Sequence, residues 1–299
     1  MRKAALLIVI SAMLWHGPGK AADKERRVFT PSGQWAMEYA EDACRLIRNF
    51  TDGENEITLA FERFELGPAT RLGVAGNGLK PWSSASTARF RYSSAGETRA
   101  SPLLRGELAD GRTSFLIADA SLISPERWRA LLEKTYADSL GELDRADEAA
   151  AAQVTAIVIG EGFKDEIEVR LGQMVEPVKA LQACVMDLVK SWGLDPQTLM
   201  TMVKPPQPVK PPNLWLNSAD YPADMLRTRQ MGDVVLRLIV NTQGEVEACH
   251  FEVTPPGAFE LAACQGIRKR VRFKPALDSK GQALRTYWRQ HVRFLIPGG

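Results

Sequence analysis

From Gly232 onward the chain alternates between apolar and polar positions. Val234, Leu236, Leu238 and Val240 fall on one face of an extended segment and Val235, Arg237 and Ile239 on the other, so the period of two predicts a strand. Asn241-Thr-Gln-Gly244 supplies a hairpin turn, with Gly244 suited to positive φ. A second strand follows over 245–253, with Cys249, Phe251 and Val253 on one face, and Pro255-Pro256-Gly257 ends it. Leu261, Cys264, Ile267 and Val271 then recur at helical spacing. The last strand, 284–296, puts Leu284, Thr286, Trp288, Gln290, Val292, Phe294 and Ile296 on one face. Arg285, Tyr287, Arg289, His291 and Arg293 take the other. With a short helix expected over 223–230 after Tyr221-Pro222, the prediction is a small α+β domain over 213–299: a three-stranded antiparallel sheet packed on two helices.

Upstream, over 28–202, the pattern predicts a β-rich α+β domain that ends in a helix. Trp35, Met37 and Tyr39 alternate, and strands over 44–50 and 56–66 meet across the turn-rich Thr51–Asn55. Shorter strands are expected at 71–74, 88–92, 114–117, 154–159 and 166–171. Ser124-Pro125 reads as an N-cap with proline at the first helical position. The acidic, alanine-rich stretch 144–153 either continues that helix or is a solvated connection. Over 177–192, Val178, Leu181, Val185, Leu188 and Val189 form one helical stripe, with Cys184 on or beside it and Gly193 as a cap. Between the two parts, residues 203–212 hold five prolines, which favour an extended spacer without strand pairing.

The N-terminus changes how the rest is read. Arg2 and Lys3 precede an apolar run from Ala4 to Trp15, then Gly17-Pro18-Gly19 and small residues suited to a cut between Ala21 and Ala22. Segment 1–22 therefore reads as a secretory signal peptide, and a periplasmic, exported protein is expected. A membrane span needs about 20 apolar residues, so an uncleaved anchor is the alternative reading and no stable membrane anchor is expected. In an oxidising compartment four cysteines, Cys44, Cys184, Cys249 and Cys264, suggest two disulfides. Three connectivities are possible. The domain boundary favours Cys44–Cys184 and Cys249–Cys264, and buried free thiols are the alternative.

The formal net charge of +2 gives no reason to expect a nucleic-acid partner or an anionic membrane surface. No paired Cys/His spacing points to a metal, and no cofactor is expected. Catalytic signatures such as GxSxG, HExxH or a P-loop do not occur. Gly73–Gly78 reads as a surface turn, and the basic run from Arg268 to Lys274 as a solvated helix end favoured by the helix dipole. Asn49-Phe50-Thr51 fits a glycosylation sequon.

One ordered series is more specific. Tyr221-Pro222, the run 232–240, Gly244-Glu245-Val246, Leu261, Phe273-Lys-Pro-Ala276, Gly281 and the final strand to Phe294 together resemble a TonB C-terminal domain. With the Cys249/Cys264 pair, Arg268-Lys269-Arg270 and the leading region, the chain is similar to a signal-peptide-bearing alphaproteobacterial subgroup of TonB-like proteins. The resemblance implies capture of a protein partner in the envelope, such as an outer-membrane transporter, by strand addition, which needs no catalytic group. Tyr221, Pro222, Arg285, Tyr287, Trp288, Arg289 and His291 are then the partner-binding candidates. The alternative assignment for the last strand puts Trp288 in the core and leaves its arginines to solvate the outer face. Two departures bear on coupling to a membrane motor: Ser11 and His16 lie five apart, not one helical turn, and the proline segment is short. The expected function is a periplasmic adaptor. The alternatives are an energy transducer with an uncleaved anchor and a hydrolase with its site in 28–202.

Overall fold

A computed structural model describes residues 26–77, 79–82, 84–93, 96–108, 110–132, 136–251 and 257–296. The expected signal segment, including Ala21, Ala22, Ser11 and His16, lies outside these residues, as does the expected end of the second C-terminal strand.

The first part of the chain is built on ten strands: β1 (Arg26–Pro31), β2 (Ala36–Tyr39), β3 (Cys44–Thr51), β4 (Glu56–Arg63), β5 (Arg71–Gly76), β6 (Thr87–Tyr92), β7 (Arg99–Glu107), β8 (Thr113–Ile117), β9 (Ala156–Glu161) and β10 (Glu166–Arg170). Their order is β1-β10-β9-β6-β7-β8-β5-β4-β3-β2, and β1 also pairs with β3. The sheet thus closes into a barrel of nine strands with β2 outside the ring. Closure leaves no free edges within the ring. Only β1 and β10 run parallel. Inward positions alternate as a barrel requires: Leu46 and Phe50 on β3, Ile57, Leu59 and Phe61 on β4, Leu72 and Val74 on β5 all join one buried cluster.

Two of these strands gave no clear sequence signal. β1 carries Arg26, Arg27 and Pro31, and β7 carries Pro102 and Gly106, which read as breakers. Both form because neighbouring strands supply partners on each side. Gly73 and Gly76, expected in a surface turn, belong instead to β5. A Cβ on Gly76, at φ 146°, would lie 2.4 Å from the Glu56 carbonyl oxygen, so close strand approach explains this glycine.

Helices α1 (Pro125–Leu132) and α2 (Tyr136–Ala151) cross over to β9, so the acidic stretch is helical as far as Ala151. Helix α3 (Val175–Ser191) lays Val178, Leu181, Val185, Leu188 and Val189 into the barrel's core cluster. Cys184 on α3 is bonded to Cys44 at the start of β3, with S–S 2.05 Å. Beneath α2 lies a buried ion pair: Arg63 Nη2 donates to Asp147 Oδ2 at 2.6 Å, and Arg63 Nε donates to Thr70 Oγ1 at 2.9 Å. Gln182 of α3 donates to the same Asp147 oxygen at 3.3 Å, so three elements meet on one carboxylate.

Asp144, one turn before Asp147, shows the cost of that site. Burial pushes its carboxyl up to about 6. An acid whose folded pKa lies above its unfolded value disfavours folding once ionised; the penalty is full above pH 6 and fades as pH falls towards 4. Asp144→Asn is therefore expected to stabilise the chain by roughly 1–2 kcal/mol at about pH 7.5. Urea unfolding across this range checks it: a gain that does not shrink towards pH 4 refutes the assignment.

The proline segment corrects the spacer expectation. After α4 (Pro196–Leu199), β11 (Met202–Lys204) and β12 (Gln207–Pro208) are extended, as proline demands, but they pair with strands of the C-terminal domain. That domain continues with α5 (Ala223–Arg227), β13 (Gly232–Val240), β14 (Val246–Phe251), α6 (Ala258–Arg270), β15 (Phe273–Lys274), β16 (Ala276–Asp278), β17 (Ala283–Leu284) and β18 (Thr286–Phe294). β11 pairs with β16, and β12 with β15. Its main sheet has the order β14-β13-β18, all antiparallel. Helix α6 covers one face, and Cys249 of β14 is bonded to Cys264 of α6, S–S 2.08 Å. Helix α5, expected to share that face, buries no residue; five residues make too short a helix to cover it. The opposite face of the sheet lies against the barrel domain.

Candidate partner-binding site

The contact between barrel and sheet is built around Arg237, which is 2% exposed. Its guanidinium lies 3.6 Å from the centroid of the Trp192 ring and donates to the carbonyl oxygens of Phe64 at 2.9 Å and Asp42 at 3.2 Å. Three arginine–backbone and aromatic contacts thus join β13 to the α3 end and to the loops beside β3 and β4. Cross-strand from Arg237 is His250, half-buried. Burial, and then the nearby Arg237, hold the His250 imidazole below its usual range.

The candidates on β18 divide between the two faces. Tyr287 packs edge-on against Trp192 at 5.4 Å, and its hydroxyl accepts from the Leu66 N–H at 3.1 Å. Arg289 lies over the Phe64 ring at 5.2 Å. Arg285 donates to the Gly193 carbonyl oxygen at 2.5 Å and pairs with Glu247. These three, read from sequence as partner contacts or solvated residues, face the barrel. Trp288 turns to the α6 side beside Phe273, centroids 5.5 Å apart, and its Nε1 donates to Gln290. His291 is exposed and pairs with Asp233. Tyr221 stacks edge-on against Phe259 and Phe294, its hydroxyl donating to the Gln230 carbonyl oxygen at 2.5 Å, and Pro222 caps α5.

Among the described residues the sheet ends at β18, which has β13 alone as a neighbour in the strand order. Two grooves border this edge. One, of about 680 Å³, runs beside Thr286–Arg289 and His291, walled by Leu66, Leu104 and Leu116 of the barrel and by Met202, Pro205 and Pro206. The other, of about 660 Å³, runs beside Gln290–Leu295 and is walled by Trp215, Leu216, Tyr221 and Leu226. An extended chain placed against β18 has apolar wall on both faces.

Residues 217–296 match the family of Gram-negative bacterial TonB protein C-terminal regions. This part of the chain is a TonB C-terminal-like domain. The TonB-like domain covers just over a quarter of the chain, and it marks an envelope protein. Comparisons with curated proteins and with solved structures gave no match. Among the described residues, no helix is long and apolar enough to cross a membrane.

Sequence reading missed the barrel residues that wall the cleft of the TonB-like domain and the anchoring role of Arg237. A signal was present: Val235 and Ile239 make β13 apolar on both faces, which in a sheet implies cover on both sides. In the barrel domain, proposed as an alternative home for hydrolysis, the Arg63–Asp147 pair is 1% and 0% exposed and cannot reach a substrate. Its chemistry is structural.

Proposed function

We propose that this chain is a periplasmic adaptor that captures an extended segment of an envelope protein, such as an outer-membrane transporter, by adding it as a strand to the edge of β18. The observation that carries this reading is the β18 edge itself, bordered by the two apolar grooves. Strand addition draws affinity from main-chain hydrogen bonds, and grooves on alternate faces select alternate side chains. No proton transfer or nucleophile is required.

The test is photo-crosslinking in cells with a benzoylphenylalanine placed at Gln290 or at Leu295. Both positions are expected to capture the same envelope protein through one extended segment. Proline at Val292, which disrupts an edge strand's pairing, is expected to abolish both adducts. Adducts to unrelated proteins at the two positions, or adducts that survive the proline, sink the proposal. The export part is tested separately: the mature N-terminus is expected at Ala22.

A further inference from the structure

Pairing of the proline segment with the TonB-like domain has a second effect, on charge. Lys204 and Lys210 flank β12, which lies along β15: Gln207 is registered with Lys274, and the Val209 N–H donates to the Arg272 carbonyl oxygen at 2.9 Å. Arg272 and Lys274 alternate with the buried Phe273, so both point outward. Arg268 and Lys269 end α6 and line the same surface as Arg272. All six cations are exposed, and among the described residues none forms a salt bridge. Glu245, the acid beside Arg272, accepts from the Asn241 amide at 3.3 Å. Val209, set against Arg272 by its backbone hydrogen bond, is 59% exposed, and Leu214, four residues beyond Lys210, is 62% exposed.

A balanced net charge of +2 hides this segregation. Cations alone would suit any polyanion. Cations around exposed aliphatic side chains suit a surface that is anionic outside and apolar beneath. We propose that this face of the TonB-like domain docks on an anionic phospholipid bilayer, with Lys204, Lys210, Arg268, Lys269, Arg272 and Lys274 on the headgroups and Val209 and Leu214 at the acyl boundary. Arg268, Lys269 and Arg272 lie beside Glu245 and Val246 at the start of β14, whereas Lys204 and Leu214 adjoin residues that line the two grooves at the β18 edge. Vesicle flotation reads lipid docking and crosslinking reads strand addition, so either proposal can fail alone.

The experiment is flotation of the full, disulfide-bonded chain with vesicles of phosphatidylcholine containing one-third phosphatidylglycerol, against phosphatidylcholine alone. Binding is expected on the anionic vesicles at low salt and is expected to fall steeply with added salt. Each cation near such a surface contributes about fivefold to partitioning. Arg272→Gln with Lys274→Gln is thus expected to weaken it more than tenfold, and Arg127→Gln with Lys190→Gln, equal in charge but remote, to leave it unchanged. Val209→Ser with Leu214→Ser is expected to weaken binding at unchanged charge. Equal binding to both vesicles, equal loss in the remote variant, or indifference to the serine pair overturns the proposal. Retention on a soluble anionic glycan without vesicle binding also overturns it and reassigns the patch to a polyanion.

Discussion

Replacing Cys44 and Cys184 together by alanine is expected to lower the stability of the chain by up to about 5 kcal/mol. The bridge spans a sequence separation of 140 residues. Loop-closure entropy grows with the logarithm of that length, so this bond restricts the unfolded chain more than Cys249–Cys264, whose separation is 15 and whose expected contribution is about 3 kcal/mol. The bridge also fixes α3 on β3, where the helix joins the barrel core. Urea unfolding of the intact and double-alanine chains measures the difference. The midpoint should fall and the slope rise, because the unfolded chain without the bridge exposes more surface. A loss below about 1 kcal/mol contradicts the loop-entropy account.

Arg63→Met is expected to cost about 3–5 kcal/mol, because it strands an ionised Asp147 with no exposure to water. Gln182 still donates to Asp147 but carries no charge to offset burial. Asp147→Leu should cost a similar amount by leaving the guanidinium alone. The double variant should recover most of the loss, since a buried ion pair contributes little net over apolar side chains of similar size. A double-mutant cycle by urea unfolding reads the coupling directly. If the two single losses simply add, Arg63 and Asp147 are not a coupled pair.

β13 and β18 were legible because each has one dominant period over nine residues, whereas β15, β16 and β17 are two or three residues long, too short to show a period. β13 and β18 also sit between a glycine turn and a proline or glycine break, which fixes their ends. The barrel was legible only in part. β3, β4 and β9 show clear apolar runs, but β1 and β7 are held by neighbours rather than by their own composition, and nothing local encodes which strand pairs with which. In the closing contact, Thr51 and Phe50 belong to the legible β3, but their partners Thr30 and Pro31 on β1 carry no apolar alternation that would mark a strand.

The candidate site divides in the same way. That β18 offers an edge is what the TonB resemblance implies, and the order β14-β13-β18 puts it there. That its Arg285, Tyr287 and Arg289 meet a second domain is not implied, because a charged or aromatic outer face reads identically whether it faces water or a partner surface. Arg237 is the sharpest case: as one cation in an apolar strand it could be solvated, yet Trp192 and two carbonyl oxygens bury it.

By itself the sequence determined the local periods, the turns, the faces on which Cys249 and Cys264 lie and the TonB-like series. Each depends on residues a few positions apart, whose spacing sets direction in a strand or helix. Tertiary structure alone decided that the strands close into a barrel, that the barrel covers the TonB-like sheet, and that a proline segment becomes strands instead of a spacer. It also brought Arg268, Lys269, Arg272 and Lys274 together on the surface of a nearly neutral chain. The first three outcomes depend on contacts between residues tens to hundreds of positions apart, where pairing partners and burial are set by the whole fold and not by local pattern.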